Sequence, residues 1–233
     1  MPDSLPTDLS FLGPIQEPFE KLLKLLNIEH DGTLKCIVEK TQQQWLRPKG
    51  TERWDMVETV FENQPQILMC LQQMGFVDTI YPTSTNYDCL LIHGASKQNL
   101  VERILHLETL IKQGIRWKNA IFITGCPIAS AEITELLEQF EPFDLKFIIS
   151  NAHKDNTRAN TKDTIMAWLE TNPEPQSILA LSNQPFVPYQ HVALRQEISP
   201  DFKLETVGKS PPKSVPLSVY LDTVARWLYL QFC

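Results

Sequence analysis

Tyr87-Asp88-Cys89-Leu90-Leu91-Ile92-His93-Gly94-Ala95-Ser96 is the stretch that decides the fold. A short apolar run closed by a glycine and small polar residues has the length and punctuation of a buried strand. Leu100, Val101, Ile104, Leu107 and Ile111 then recur at spacings of three and four, a helical stripe that Gly114 ends. The alternation repeats. Asn119 to Thr124 reads as a second strand, Ile133, Leu136, Leu137 and Phe140 as a helix, and Leu145 to Ser150 as a third strand. Ile165, Trp168 and Leu169 supply another helix before a fourth strand at Ser177 to Leu181. Near-continuous apolar strands separated by helices predict a mainly parallel sheet covered on both faces. With right-handed crossovers this is an α/β, doubly wound, three-layer fold.

Outward from this core, residues 1–14 carry three prolines and read as an irregular lead-in. Phe19, Leu22, Leu23, Leu25 and Leu26 mark an amphipathic helix, and Thr33 to Trp45 a second. Arg47-Pro48-Lys49-Gly50 breaks that helix, and Asn63 with Pro65 opens another that stops before Gly75. The expected organisation is a helical region over residues 1–86 packed on a core over 87–233. In the tail, Phe202 to Val207 reads as a strand. Pro211, Pro212 and Pro216 form a connection to a helix through Val219, Leu221, Val224, Trp227 and Leu228, expected to pack on the sheet.

The 233 residues are 42% hydrophobic and 21% charged, the balance of an ordinary globular chain. A net charge of −7 argues against nucleic acid as a partner, because phosphate binding needs clustered Lys and Arg. Five scattered cysteines, Cys36, Cys70, Cys89, Cys126 and Cys233, form none of the close pairs of zinc or redox motifs and suit a reducing compartment. No signal sequence, membrane span or prenylation box is read, so the expected location is cytoplasmic, without membrane attachment.

Ligands of an open parallel sheet bind beyond the carboxyl ends of its strands. Four loops qualify: His93 to Ser96, Gly125-Cys126-Pro127, Asn151 to Thr157, and Ser182-Asn183-Gln184-Pro185. Gly94 and Gly125 permit close backbone approach or simply make tight turns, and Ser96 stands where it can cap a helix whose amides would meet an anion. His93 and His153, the latter close to Asp155, are the candidate proton carriers. Cys126 is a candidate nucleophile or a small buried side chain. Asn160 and Asp163 match a capping box at the head of a helix, while Lys154 and Arg158 are available to an anion. No dinucleotide fingerprint, Walker sequence or metal-ligand spacing is present.

In order and spacing, His93-Gly94, Arg103, Thr124-Gly125 and Asn156-Thr157-Arg158-Ala159-Asn160 resemble the motifs of the YdcF-like domain family, which includes SanA-type proteins, over about residues 87 to 208. Ala159 stands where that family has a glutamate. Ser182-Asn183-Gln184-Pro185 replaces its usual histidine-containing turn. The resemblance implies a Rossmann-like fold and a nucleotide-like ligand or S-adenosylmethionine. Strand-end loops and motif positions together give the expected ligand contacts as Gly94, Ser96, Arg103, Gly125, Asn156, Thr157, Asn160, Ser182, Asn183 and Gln184.

Three readings follow. One is an enzyme acting on a phosphorylated or nucleotide-like small molecule, with His93 or His153 moving protons. Another is a binding module that retains the pocket without catalysis. The third is a protein-interaction role for the helical region, with Trp45, Trp54, Met69 and Met74 as anchors.

Overall fold

The computed structural model describes residues 9–51, 55–56, 59–124, 135, 147–151, 159–171, 173–174 and 176–232. They fall in two compact units that alternate along the chain: residues 1–78, 184–192 and 210–233 in one, and 79–183 and 193–209 in the other.

The second unit is built on a five-stranded sheet of β1 (Asn86–His93), β2 (Arg116–Thr124), β3 (Phe147–Asn151), β4 (Ser177–Asn183) and β5 (Lys203–Lys209), ordered β3-β2-β1-β4-β5. All neighbouring pairs are parallel. The chain therefore runs outward from β1 to β3 and returns to start again at β4. Right-handed crossovers in the two directions place their helices on opposite faces, which makes the sheet doubly wound and Rossmann-like, as the sequence predicts.

One face carries Leu90, Ile92, Ala120, Phe122, Leu179, Leu181 and Val207, packed against Leu100, Ile104, Leu107 and Leu110. Those four belong to a helix at Lys97–Lys112, labelled α4 because three helices precede it. Each fully buried side chain of this kind stabilises by about 1.5–3 kcal/mol relative to exposure. A helix at Thr161–Leu169 (α5) buries Ile165 and Trp168 and lies along β2 and β3. The sequence-read helix through Ile133 and Phe140 lies outside the described residues.

The outer edge of β5 is partly closed by the chain that leads into β1. Ile80 forms an antiparallel bridge with Gly208. Thr83 then donates its amide and hydroxyl to the Glu205 carboxylate at 2.6 and 2.8 Å. Pairing and charge on a sheet edge discourage association with foreign strands. At the amino ends of the strands, Asp88 accepts from the amides of Gln176 and Ser177 and from the Ser177 hydroxyl, at 2.9–3.1 Å. Its other oxygen takes Lys118 at 2.5 Å.

The first unit is helical: a 3₁₀ turn at Leu9–Ile15, α1 (Gln16–Leu25), α2 (Leu34–Trp45), α3 (Gln64–Gln73) and α7 (Leu217–Phe232). Phe19, Leu22 and Leu23 of α1, Leu34, Ile37 and Val38 of α2, and Ile67, Cys70 and Leu71 of α3 share one core with Tyr220, Leu221, Val224 and Leu228 of α7. The closing helix thus groups with the amino-terminal helices, and the compact units differ from a contiguous division at residue 86. A stripe on a helix announces that one face is buried but not what covers it. Trp45 and Met74 are core residues here, Met69 is 43% exposed, and Trp54 lies outside the described residues.

A helix at Val187–Glu197 (α6), which the sequence reading does not anticipate, runs from one unit into the other.

Within α7, Asp222 is fully buried and accepts from Arg226 Nε at 3.1 and 3.2 Å and from the Arg47 amide at 3.2 Å. The Arg47 guanidinium stands 3.8 Å away. Replacing Asp222 by Ala is expected to remove about 2–3 kcal/mol of stability, the low end for a broken buried pair because both arginines keep some solvent. The measurement is a urea midpoint at unchanged slope.

Candidate functional site

The direction of winding changes between β1 and β4, and the crevice of a Rossmann-like sheet opens beyond the carboxyl ends of such a strand pair. β1 ends at His93 and β4 at Asn183. Between them lies Arg103, 2% exposed, reaching in from α4. Its guanidinium donates to the His93 carbonyl and to the Asn183 side-chain oxygen in short contacts, and to the Gly94 carbonyl at 3.3 Å. A single fork thus satisfies strand-end acceptors from both sides of the switch, the kind of task suited to a planar guanidinium.

Gly94 has a packing reason for its identity. A Cβ there would lie 2.8 Å from Thr124 Oγ1 and 2.9 Å from Thr124 Cα, closer than real contacts allow. The Gly94 amide also donates to the Ile123 carbonyl at 2.6 Å, carrying the β1–β2 ladder past the last side chain. The absent side chain lets the β1 loop press onto β2. Ser96 is the N-cap of α4 with extended backbone (φ −60°, ψ 155°), but its hydroxyl makes no cap hydrogen bond to the helix amides. Those first-turn donors remain oriented toward the strand ends.

His93 is 2% exposed, and its pKa is lowered to about 3, first by burial and then by the Arg103 charge. It is neutral at physiological pH, and its Nε2 has no hydrogen-bond partner among the described residues. Ser182, fully buried, has its hydroxyl 3.4 Å from the Asn183 carbonyl.

Asn160 caps α5: its side chain accepts from the Asp163 amide at 3.0 Å, and the Asp163 carboxylate accepts from the Asn160 amide at 2.9 Å. The capping box read from the sequence is present, so Asn160 has a structural task whatever else it does. Gln184 belongs to the helical unit, where its amide donates to the carbonyls of Gly75 and Asp78, both at 2.9 Å. The structure therefore gathers His93, Gly94, Arg103, Ser182 and Asn183 at the switch point. His153, Gly125, Asn156 and Thr157, with Cys126, Lys154, Asp155 and Arg158, lie outside the described residues.

A buried histidine on α4 also escaped the sequence reading. His106 on α4 is 2% exposed, tilted against the Tyr81 ring at 6.3 Å, and its Nε2 also has no partner among the described residues. Burial and then Lys209 lower its pKa to about 4. Its signal was position: Arg103 and His106 both sit among the inward residues Leu100, Ile104, Leu107 and Leu110.

No family model matches this chain, nor does any curated protein or solved structure. Among the described residues, no group of three or more His, Cys, Asp or Glu side chains is placed to hold a metal. No helix among them is long and apolar enough to cross a membrane.

The two buried histidines set an acid sensitivity. Their folded pKa values lie below the unfolded value near 6.5, so the unfolded chain binds more protons between that value and about 3–4. Their contribution is complete above about pH 7. It falls as pH drops, by up to about 1.4 kcal/mol per pH unit for each histidine. Urea midpoints from pH 7 to 4.5 are expected to decline for the wild type, less steeply for His93→Phe or His106→Leu, and least for the double variant. An unchanged slope in all three variants would contradict the burial of neutral imidazoles.

Proposed function

We propose that this chain is a YdcF-like protein that binds a nucleotide-like or phosphorylated small molecule at the carboxyl ends of its parallel strands. The observation that carries the proposal is the strand order, with its switch between β1 and β4. Local chemistry is consistent with it. The first-turn amides of α4 suit an anion, and Arg103 holds the strand ends in place. S-adenosylmethionine or a nucleotide is the ligand class that the family resemblance suggests.

Binding without proton transfer by His93 is the reading we favour. A general acid or base works best with a pKa near the operating pH, and His93 sits several units lower, buried and neutral. A catalytic version of the proposal would place proton handling on His153.

Thermal unfolding with AMP, ATP, S-adenosylmethionine, a sugar phosphate and inorganic phosphate tests it. A true ligand at one hundred times its Kd adds about 2.7 kcal/mol of stability and raises the midpoint accordingly. Ser96→Asp supplies the control, since Asp is a good N-cap and preserves the helix while placing a negative charge where the anion would sit. The variant is expected to fold normally and to lose the shift. A folded wild type that none of the compounds stabilises would overturn the proposal and favour a protein partner, for which Met69 and Leu68, exposed on α3, are candidate anchors.

A further inference from the structure

We propose that His93 and Ser182 form the floor of this site and hydrogen-bond the uncharged part of its ligand, which narrows the class to nucleoside-containing molecules. The inference rests on the ligand site proposed above and specifies what that site recognises.

The parallel register pairs Ile92 with Leu181, so His93 stands beside Ser182 on the next rung, at the end of β1 and one residue from the end of β4. Leu90, Ile92, Leu179 and Leu181 pack with the residues of α4. Strand alternation therefore turns His93 and Ser182 to the opposite face. Their buried neighbours on that face are Leu91, Ile123, Ala180 and Thr206, three of them apolar. Two polar side chains thus sit side by side in a largely apolar layer at the switch point. Neither bonds the other. His93 Nε2 has no partner among the described residues, and the Ser182 contact to the Asn183 carbonyl, at 3.4 Å, is at the long limit of a hydrogen bond.

Such groups cost stability, and an apolar pair of similar shape would be the more stable choice. Polar residues kept at a loss to the fold are the usual mark of a functional surface. Their chemistry indicates what they meet. A neutral imidazole and a hydroxyl can each donate or accept one hydrogen bond but bring no charge, so they match ribose hydroxyls or the amide edge of a base. A phosphate would instead be served by the helix amides of α4. Both groups are covered in this conformation, so the ligand enters through local opening and associates more slowly than diffusion allows.

The experiment is isothermal titration of the full chain with the four ribonucleosides, their 5′-monophosphates and inorganic phosphate, using wild type, Ser182→Ala, His93→Phe and His93→Gln. At least one nucleoside and its monophosphate are expected to bind. Ser182→Ala and His93→Phe should each weaken both about tenfold, the equivalent of one lost hydrogen bond of about 1.4 kcal/mol. Phosphate affinity should not change, and His93→Gln, which keeps a donor and an acceptor, should restore binding. His93→Phe should also melt about 2–4 °C higher than wild type, since it loses a buried nitrogen that has no partner among the described residues. Monophosphate binding that is equal in wild type and both variants would overturn the inference and leave the site standing. Phosphate binding with no nucleoside binding would do the same. No binding by any probe would overturn the site reading itself, and this inference with it.

Discussion

The strand-end architecture depends on one buried cation. Arg103 is carried into the switch point by a helix whose buried face is mostly hydrocarbon, and there its fork meets the His93 and Gly94 carbonyls and the Asn183 side chain. A ladder supplies partners along a strand but not where the strands part, so backbone acceptors at that point must find a donor elsewhere. Burial, and then the same charge that satisfies them, keeps the neighbouring imidazole neutral. Scaffold and site chemistry thus meet at one residue.

The opposite end of the sheet uses the inverse arrangement. Asp88 gathers two amides and a hydroxyl from the start of β4 and an ammonium from β2, which holds its carboxyl below the ordinary range, Lys118 being the largest cause. A cationic fork at the carboxyl ends and an anionic one at the amino ends therefore tie β1 to β4, the pair across which winding reverses. The helical unit repeats the device at Asp222, where a carboxylate is satisfied by Arg226 and the Arg47 segment. Groups of this kind specify geometry more than they add stability, since their desolvation offsets much of what they gain.

Much of this was legible in the residues. Four of the five strands contain an apolar run closed by small or polar residues, and fold class alone then identifies the ends where chemistry converges. The Asn160–Asp163 box was visible because capping is local. What was not legible depends on packing across long sequence distances. Val187, Gln190, Leu194 and Ile198 have helical spacing, but a glutamine in the stripe and prolines at 185 and 188 interrupt the apolar pattern, and the residues alone assign the segment no element. Arg103 drew notice by family resemblance, whereas its position among Leu100, Ile104 and Leu107 is the physical signal that it points inward. A charged residue on an apolar stripe must find partners inside, but the stripe does not say which.

The most direct test is a double-mutant cycle in urea on Arg103→Met and Asn183→Ala. If the guanidinium holds the two strand ends together, the variants should be strongly non-additive, with a coupling of about 1.5–3 kcal/mol for a buried charge-assisted hydrogen bond. Effects that add within about 0.3 kcal/mol, the behaviour of independent sites, would contradict the clamp.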